Sequence, residues 1–169
     1  SKPNSFNISP KEFEKAITSK TRAAVLTHLG GHAIDLYPII EIAKSKKIKI
    51  VEDCSQAHGA IYKEKKVGTF TEIAAFSTMC SKTLTSGGNG GIVYTNNEQL
   101  YWRARSLADR GKPFQDPNYH FRMTTNYLYP ALNFNSDELS CAMGISSLSK
   151  LQDAINRRHE IAKKIDSSL

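Results

Sequence analysis

The stretch EIAAFSTMCSKTLTSGGNGGIVYT, residues 72–95, decides the fold. Two apolar runs, EIAAFSTM (72–79) and GGIVYT (90–95), have strand length and flank a lysine and a glycine-rich turn. A phosphate loop of the GxxxxGK[ST] kind needs its lysine after the glycines, whereas Lys82 precedes them. A dinucleotide fingerprint GxGxxG opens a helix; counted from Gly88 and Gly90, its third glycine would fall on Val93, and a strand follows instead. What remains is strand, lysine, glycine turn, strand. Glycines at 87, 88, 90 and 91 would let the backbone turn close beside a ligand.

Upstream, AAVLTHL (23–29) is a short continuous apolar run and predicts a strand buried on both faces. IKIVED (48–53) predicts a second buried strand that ends in two acids, with a charged turn following. Between them, DLYPIIEIAKSKK (35–47) reads as an amphipathic helix with Ile39, Ile40, Ile42 and Ala43 inward. Ahead of both, SPKEFEKAIT offers Ser9 as an N-cap and Pro10 at the first helical position, with Phe13, Ala16 and Ile17 on one face. Downstream, NEQLYWRARSLADRG (97–111) is helical and stops at Gly111, with Pro113 just beyond. Residues 112–135 hold three prolines and six aromatics without a period, and predict a long loop. From Ser136, the residues Leu139, Met143, Leu148, Leu151, Ile155, Ala162, Ile165 and Leu169 trace an apolar stripe on one or two long helices.

Strands alternating with helices imply an α/β fold: a largely parallel mixed sheet flanked by helices in three layers. The division expected is a large-domain part over 1–135 and a helical segment over 136–169, whose apolar face would pack on a partner or on a further domain. The opening SKPNSFNISP has neither an initiator methionine nor an apolar core, so a signal peptide is not expected and a position within a longer protein is.

The 169 residues carry a formal net charge of +7, 40% apolar and 23% charged residues. These are globular values, and no apolar run reaches membrane-spanning length, so no membrane partner is expected. The clusters KSKKIK (44–49) and KEKK (63–66) are short and not interleaved with aromatics, so they read as solvated faces and no nucleic-acid partner is expected. The charge suits small phosphorylated or carboxylated molecules instead. Three cysteines, Cys54, Cys80 and Cys141, without a CxxC pair fit a reducing cytoplasm.

Lys82 sits just past the carboxyl end of its strand, where open α/β sheets bind ligands, and Asp53 ends the second strand at the same edge. If those strands are neighbours, an acid and a lysine flank one flat ligand. Pyridoxal phosphate (PLP) chemistry requires that pair: a lysine to form a Schiff base with the aldehyde, and an acid to keep the pyridine nitrogen protonated. A free lysine has a pKa of about 10.4 and is a poor nucleophile near neutrality, so its site must activate it. Rival readings are weaker. His28, His32, Asp53 and His58 lack the HExxH arrangement, so no metal site is expected and the histidines read as satisfied or exposed. Cys80 has no base marked for it and reads as a small packing residue.

Three segments, VEDCSQAHGA (51–60), VGTFTEIAAFSTMCSKTLTSGGNGGIVYTN (67–96) and ALNFNSDELSCAMGISSLSKLQ (131–152), resemble the DegT/DnrJ/StrS-type PLP-dependent sugar aminotransferases, as does HLGGHAIDL (28–36). The resemblance implies fold type I, with an aspartate-aminotransferase-like large domain and a long helix leading toward a small domain. It implies that Lys82 forms the internal aldimine and shuttles a proton once released, that Asp53 pairs with the pyridinium nitrogen, and that Gln56 lies beside the ring. Ser77 would hydrogen-bond the cofactor phosphate. Asn133 would reach the phosphate of the opposite subunit, giving a homodimer with shared sites. The implied reaction is transamination of a keto-sugar, with glutamate as donor; some dehydratases of this fold carry histidine in place of the lysine. Residues 88–113 are similar to enzymes that aminate a keto-deoxyoctulosonate sugar acid, and a nucleotide-linked sugar is equally compatible. The family commonly has Asn-aromatic-Arg-Met where this chain has Asn133, Phe134, Asn135 and Ser136, which puts that arginine's role in doubt. Members of the family are also considerably longer, so the alternative is a non-catalytic piece that serves binding or assembly.

Overall fold

The computed structural model describes residues 5–120, 122 and 126–168. Helix α1 (Pro10–Ala16) starts as the sequence dictates: the Ser9 Oγ accepts from the Glu12 N–H at 3.2 Å and Pro10 takes the first turn. Strand β1 (Ala23–Thr27) runs into a short 3-10 turn, Leu29–Gly31, and then into α2 (Leu36–Ser45). Strand β2 (Lys49–Asp53) follows, then a small antiparallel hairpin of β3 (Ile61–Tyr62) and β4 (Lys65–Lys66), which the charge of this stretch had hidden. The series continues with β5 (Ile73–Ser77), β6 (Gly91–Tyr94) and α3 (Glu98–Ala108), and closes with α4 (Glu138–Ser149) and α5 (Leu151–Asp166).

The main sheet has the order β1-β2-β5-β6, with the first three strands parallel and β6 antiparallel to β5. This is the mixed, largely parallel sheet expected. Successive side chains of a strand point to opposite faces. The row Leu26, Glu52, Ala74 therefore shares one face with Ile50, and these residues are buried. Phe13 of α1 and Leu36, Ile39 and Ala43 of α2 close over Leu26 and Ile50 to form the core. Ile40 and Ile42 are only half-buried, and Ala16 is exposed.

The opposite face departs from expectation. Val25 is 66% exposed, so β1 is covered on one face rather than two. Apolar composition alone cannot distinguish a strand covered on both faces from one whose second cover lies elsewhere. The row Thr27, Asp53, Ala75 lies on this second face, and Ser77 lies one pleat period beyond Ala75. The expected apolar stripe of the last two helices is mostly exposed, at Leu139, Met143, Leu148 and Ile165, while Leu151 and Ile155 are half-buried. Leu169, the last member of the stripe, lies outside the described residues.

Candidate active site

Strands β2 and β5 are parallel neighbours, with Asp53 paired to Ala75, so both end at the same edge. Asp53 is held there from two sides. Its Oδ2 accepts from the Thr27 hydroxyl at 3.1 Å and its Oδ1 from the Ser55 N–H at 3.0 Å. Burial pushes its pKa up, but the hydrogen bonds from Ser55 and Thr27 outweigh this and hold it below the usual carboxylate range. A carboxylate kept ionised at a sheet edge can hold a cationic ring nitrogen.

Ser77 lies on the same face, one strand over and two residues further along, which sets its Cα on the order of 8 Å from that of Asp53. That spacing leaves room for one aromatic ring and a short arm. The Ser77 Oγ accepts from the Met79 N–H at 3.3 Å. Lys82 follows in a turn closed by its own N–H on the Met79 carbonyl at 2.9 Å, and its side chain is half-buried.

The glycine turn serves this arrangement. The Thr78 N–H donates to the Gly90 carbonyl at 2.8 Å, and the Thr78 and Ser86 hydroxyls meet at 3.0 Å. A Cβ on Gly90 would lie 2.5 Å from one hydroxyl and 2.6 Å from the other, so a larger residue must displace the Thr78 and Ser86 side chains. Gly87 has φ +83°, a left-handed conformation that favours glycine, and faces the Met143 side chain of α4. Gly88 has open space, so the sequence assigned it more than the geometry requires.

Gln56 is exposed, and its Oε1 accepts from the Gly30 N–H at 2.8 Å, tying the turn after β2 to the turn after β1. Asn133 lies on another segment, beside the end of α3. It is exposed, bridges Asp109 through the backbone, and its Oδ1 accepts from the Asn135 N–H at 3.4 Å. The doubt over the missing arginine has a physical counterpart in this region. Asn135 hydrogen-bonds Asp109, whose charge is met by Arg110 and Lys112, each at 2.8 Å.

Beneath the edge lies a device that sequence reading missed. Glu52 is fully buried: its Oε2 accepts from Gly68 N–H at 2.7 Å and His28 Nε2–H at 3.2 Å, its Oε1 from Phe70 and Thr71 N–H at 3.0 Å each. The His28 Nδ1 accepts from the Ile34 N–H at 3.1 Å, which places the ring proton on Nε2. Burial raises the Glu52 pKa, but the hydrogen bonds from His28, Gly68, Thr71 and Phe70 prevail and lower it. Ligand atoms of His28, Glu52 and Cys54 lie within 4.8 Å of one another. The donors saturate the carboxylate, however, and burial, with the charges of Glu52 and Asp53, pushes the Cys54 thiol up to about 12. Glu52 and His28 form a hydrogen-bonded pair in the core, with Cys54 buried beside them.

Two minor expectations are corrected. Cys80 is exposed rather than packed, its thiol 3.6 Å from the Met79 sulfur. His28 is satisfied and His32 exposed, as expected, but His58 is buried with an unpartnered Nε2. No sequence signal separates that histidine from the others.

The profile of the DegT/DnrJ/EryC1/StrS aminotransferase family matches residues 1–169, and the chain belongs to that family. It is 39% identical over 159 residues to the dTDP-3-amino-3,6-dideoxy-alpha-D-galactopyranose transaminase of Aneurinibacillus thermoaerophilus, covering 94% of this chain and 41% of that protein. To the GDP-perosamine synthase of Escherichia coli O157:H7 it is 36% identical over 157 residues, 93% of this chain and 41% of the relative. Among solved structures, the E. coli GDP-4-keto-6-deoxy-D-mannose-3-dehydratase with bound hydrated PLP superposes with a TM-score of 0.84 at 26% identity, over 95% of this chain and 43% of that one. The chain thus spans about four-tenths of the length of the curated relatives it matches.

Proposed function

We propose that this chain carries the PLP-holding part of a sugar aminotransferase, and that the enzyme moves an amino group from glutamate to a keto-sugar. The carrying observation is an ionised Asp53 and the Ser77 hydroxyl on one face of neighbouring parallel strands, with Lys82 in the turn that follows β5. These residues fit PLP. A flat ring between Asp53 and the Lys82 turn would leave its phosphate arm toward Ser77, and the Gly90 approach keeps that turn tight. When bound, PLP supplies an aldehyde that condenses with amines and a pyridinium ring that withdraws electrons from the carbon beside them. Asp53 holds the ring nitrogen through a carboxylate oxygen. Lys82 would hold the aldehyde carbon through Nζ and, as a free amine, would carry a proton at that same atom. Gln56 lines the ring from the turn after β2. Asn133 serves the phosphate of a second copy, in a homodimer with shared sites.

The names of the relatives support a nucleotide-linked keto-sugar, and the likeness of residues 88–113 supports a keto-deoxyoctulosonate-type sugar acid as the other substrate class. The surplus of positive charge suits either anion. The dehydratase among the structural neighbours makes dehydration the rival reaction, and the presence of Lys82 favours transamination. The unpaired thiols of Cys54, Cys80 and Cys141 support a cytoplasmic location. No helix among the described residues is long and apolar enough to cross a membrane.

The test is the amino-donor half-reaction. The native polypeptide loaded with PLP and given glutamate alone should release 2-oxoglutarate stoichiometrically with cofactor. Lys82→Ala should slow that release about 10²- to 10⁴-fold, the usual contribution of a positioned proton-transfer group. A wild-type protein that releases no keto acid from any amino donor would contradict transamination.

A further inference from the structure

Lys82 stands in an arch of backbone whose feet are Thr78 and Ser86. The Ser86 N–H donates to the Thr78 carbonyl at 2.8 Å and closes the base. The first limb is held within its own hairpin: the Cys80 N–H donates to the Gly88 carbonyl at 2.8 Å, and the Lys82 N–H to the Met79 carbonyl at 2.9 Å. The second limb is held from outside. The Thr85 N–H donates to the Ser147 Oγ of α4 at 3.0 Å, a bond between residues 62 positions apart. Beside it the buried Leu84 lies in an apolar cleft with Gly144, Ile145 and Leu148 of the same helix.

This contact bears on the lysine. Thr85 and Ser147 are both half-buried, so a Thr85 N–H that loses the hydroxyl has little water to turn to. The limb that follows Lys82 would then be held by Leu84 alone, whose apolar packing fixes depth but not direction. An amine that must bond to one carbon atom gains from being held in place, and its effective concentration at that carbon falls as its support loosens.

We propose that Ser147 is a positioning residue for Lys82: its Oγ accepts the Thr85 N–H and so fixes the arch that carries the amine. The assignment rests on Lys82 being the lysine that holds PLP. Ser147 acts as an acceptor hydroxyl, so threonine can replace it and alanine cannot.

The experiment is a double-mutant cycle on the PLP dissociation constant of the native polypeptide, measured by equilibrium dialysis. Alanine is the better helix former, so Ser147→Ala keeps α4. Loss of one hydrogen bond should raise the constant about fivefold in Ser147→Ala. Ser147→Thr should bind as wild type, and so should Ser146→Ala, which alters an exposed neighbour on the same helix. In the Lys82→Ala background, Ser147→Ala should add nothing, because the support acts through the amine. An equal rise in both backgrounds, or no rise in either, would overturn the assignment. In the cofactor-free protein the Thr85 amide should exchange its hydrogen about fivefold faster in Ser147→Ala. Exchange at the wild-type rate would likewise overturn it, since the bond would not be holding the limb. A Lys82→Ala protein that binds PLP as tightly as wild type would overturn the PLP reading itself, and the role of Ser147 with it.

Discussion

Glu52→Gln is an almost isosteric change, yet it should be among the most damaging in the chain. All four N–H groups around the carboxylate are donors: Gly68 and His28 on one oxygen, Phe70 and Thr71 on the other. The Thr71 hydroxyl adds a fifth donor at 3.1 Å. An amide turns one oxygen into an NH₂ group, and in either orientation that group faces two N–H groups at full burial. Each buried donor left unsatisfied costs about 1–3 kcal/mol, so two cost roughly 2–6 kcal/mol. A whole domain is stable by only about 5–15 kcal/mol, so the loss is a large fraction of the total. Urea denaturation of the native polypeptide, followed by circular dichroism, should show it as a lower midpoint at unchanged slope.

The effect also depends on pH. The folded pKa of Glu52 is depressed, so its contribution is present above the unfolded glutamate value, about 4.3, and is lost as pH falls through the lower folded value. The gap between wild type and variant should therefore narrow in acid. A difference at neutral pH no larger than the roughly 0.5 kcal/mol of an ordinary surface substitution would refute the view of Glu52 as an acceptor saturated by donors.

Asp53→Asn should weaken amino-group transfer about 10- to 100-fold, the scale of one charge-assisted hydrogen bond, while leaving the fold intact; unchanged single-turnover rates with glutamate would remove Asp53 from the ring nitrogen. Gly90→Ala forces a methyl group against the Thr78 and Ser86 hydroxyls and should cost about 1–3 kcal/mol in thermal denaturation. An unchanged melting temperature would show that the turn yields more readily than its contacts imply.

Much of the sheet was legible because its strands carry short apolar runs and its first helix carries a serine–proline start. The side of the sheet each residue serves was not. Glu52 and Asp53 stand next to each other at a strand end, and alternation sends one into the core and the other to the site. Composition treats the two acids alike; only the packing of α1 and α2 on one face distinguishes them. The adjacency of β2 and β5, which brings Asp53 and Ser77 to one sheet edge, is a long-range fact that local pattern does not contain. The hairpin at 61–66 was hidden because its strands are two residues each and one of them is a pair of lysines. His58 was passed over because burial without a partner is a property of the folded chain, not of a histidine in a sequence.

The central claim is that Lys82 is the residue to which PLP attaches. The native polypeptide would be incubated with PLP, reduced with borohydride, digested and mapped by peptide mass. The account predicts one pyridoxyl group, on the peptide that contains Lys82, and none on that peptide after Lys82→Ala. A reduced adduct on another lysine, or no adduct at all, would contradict it.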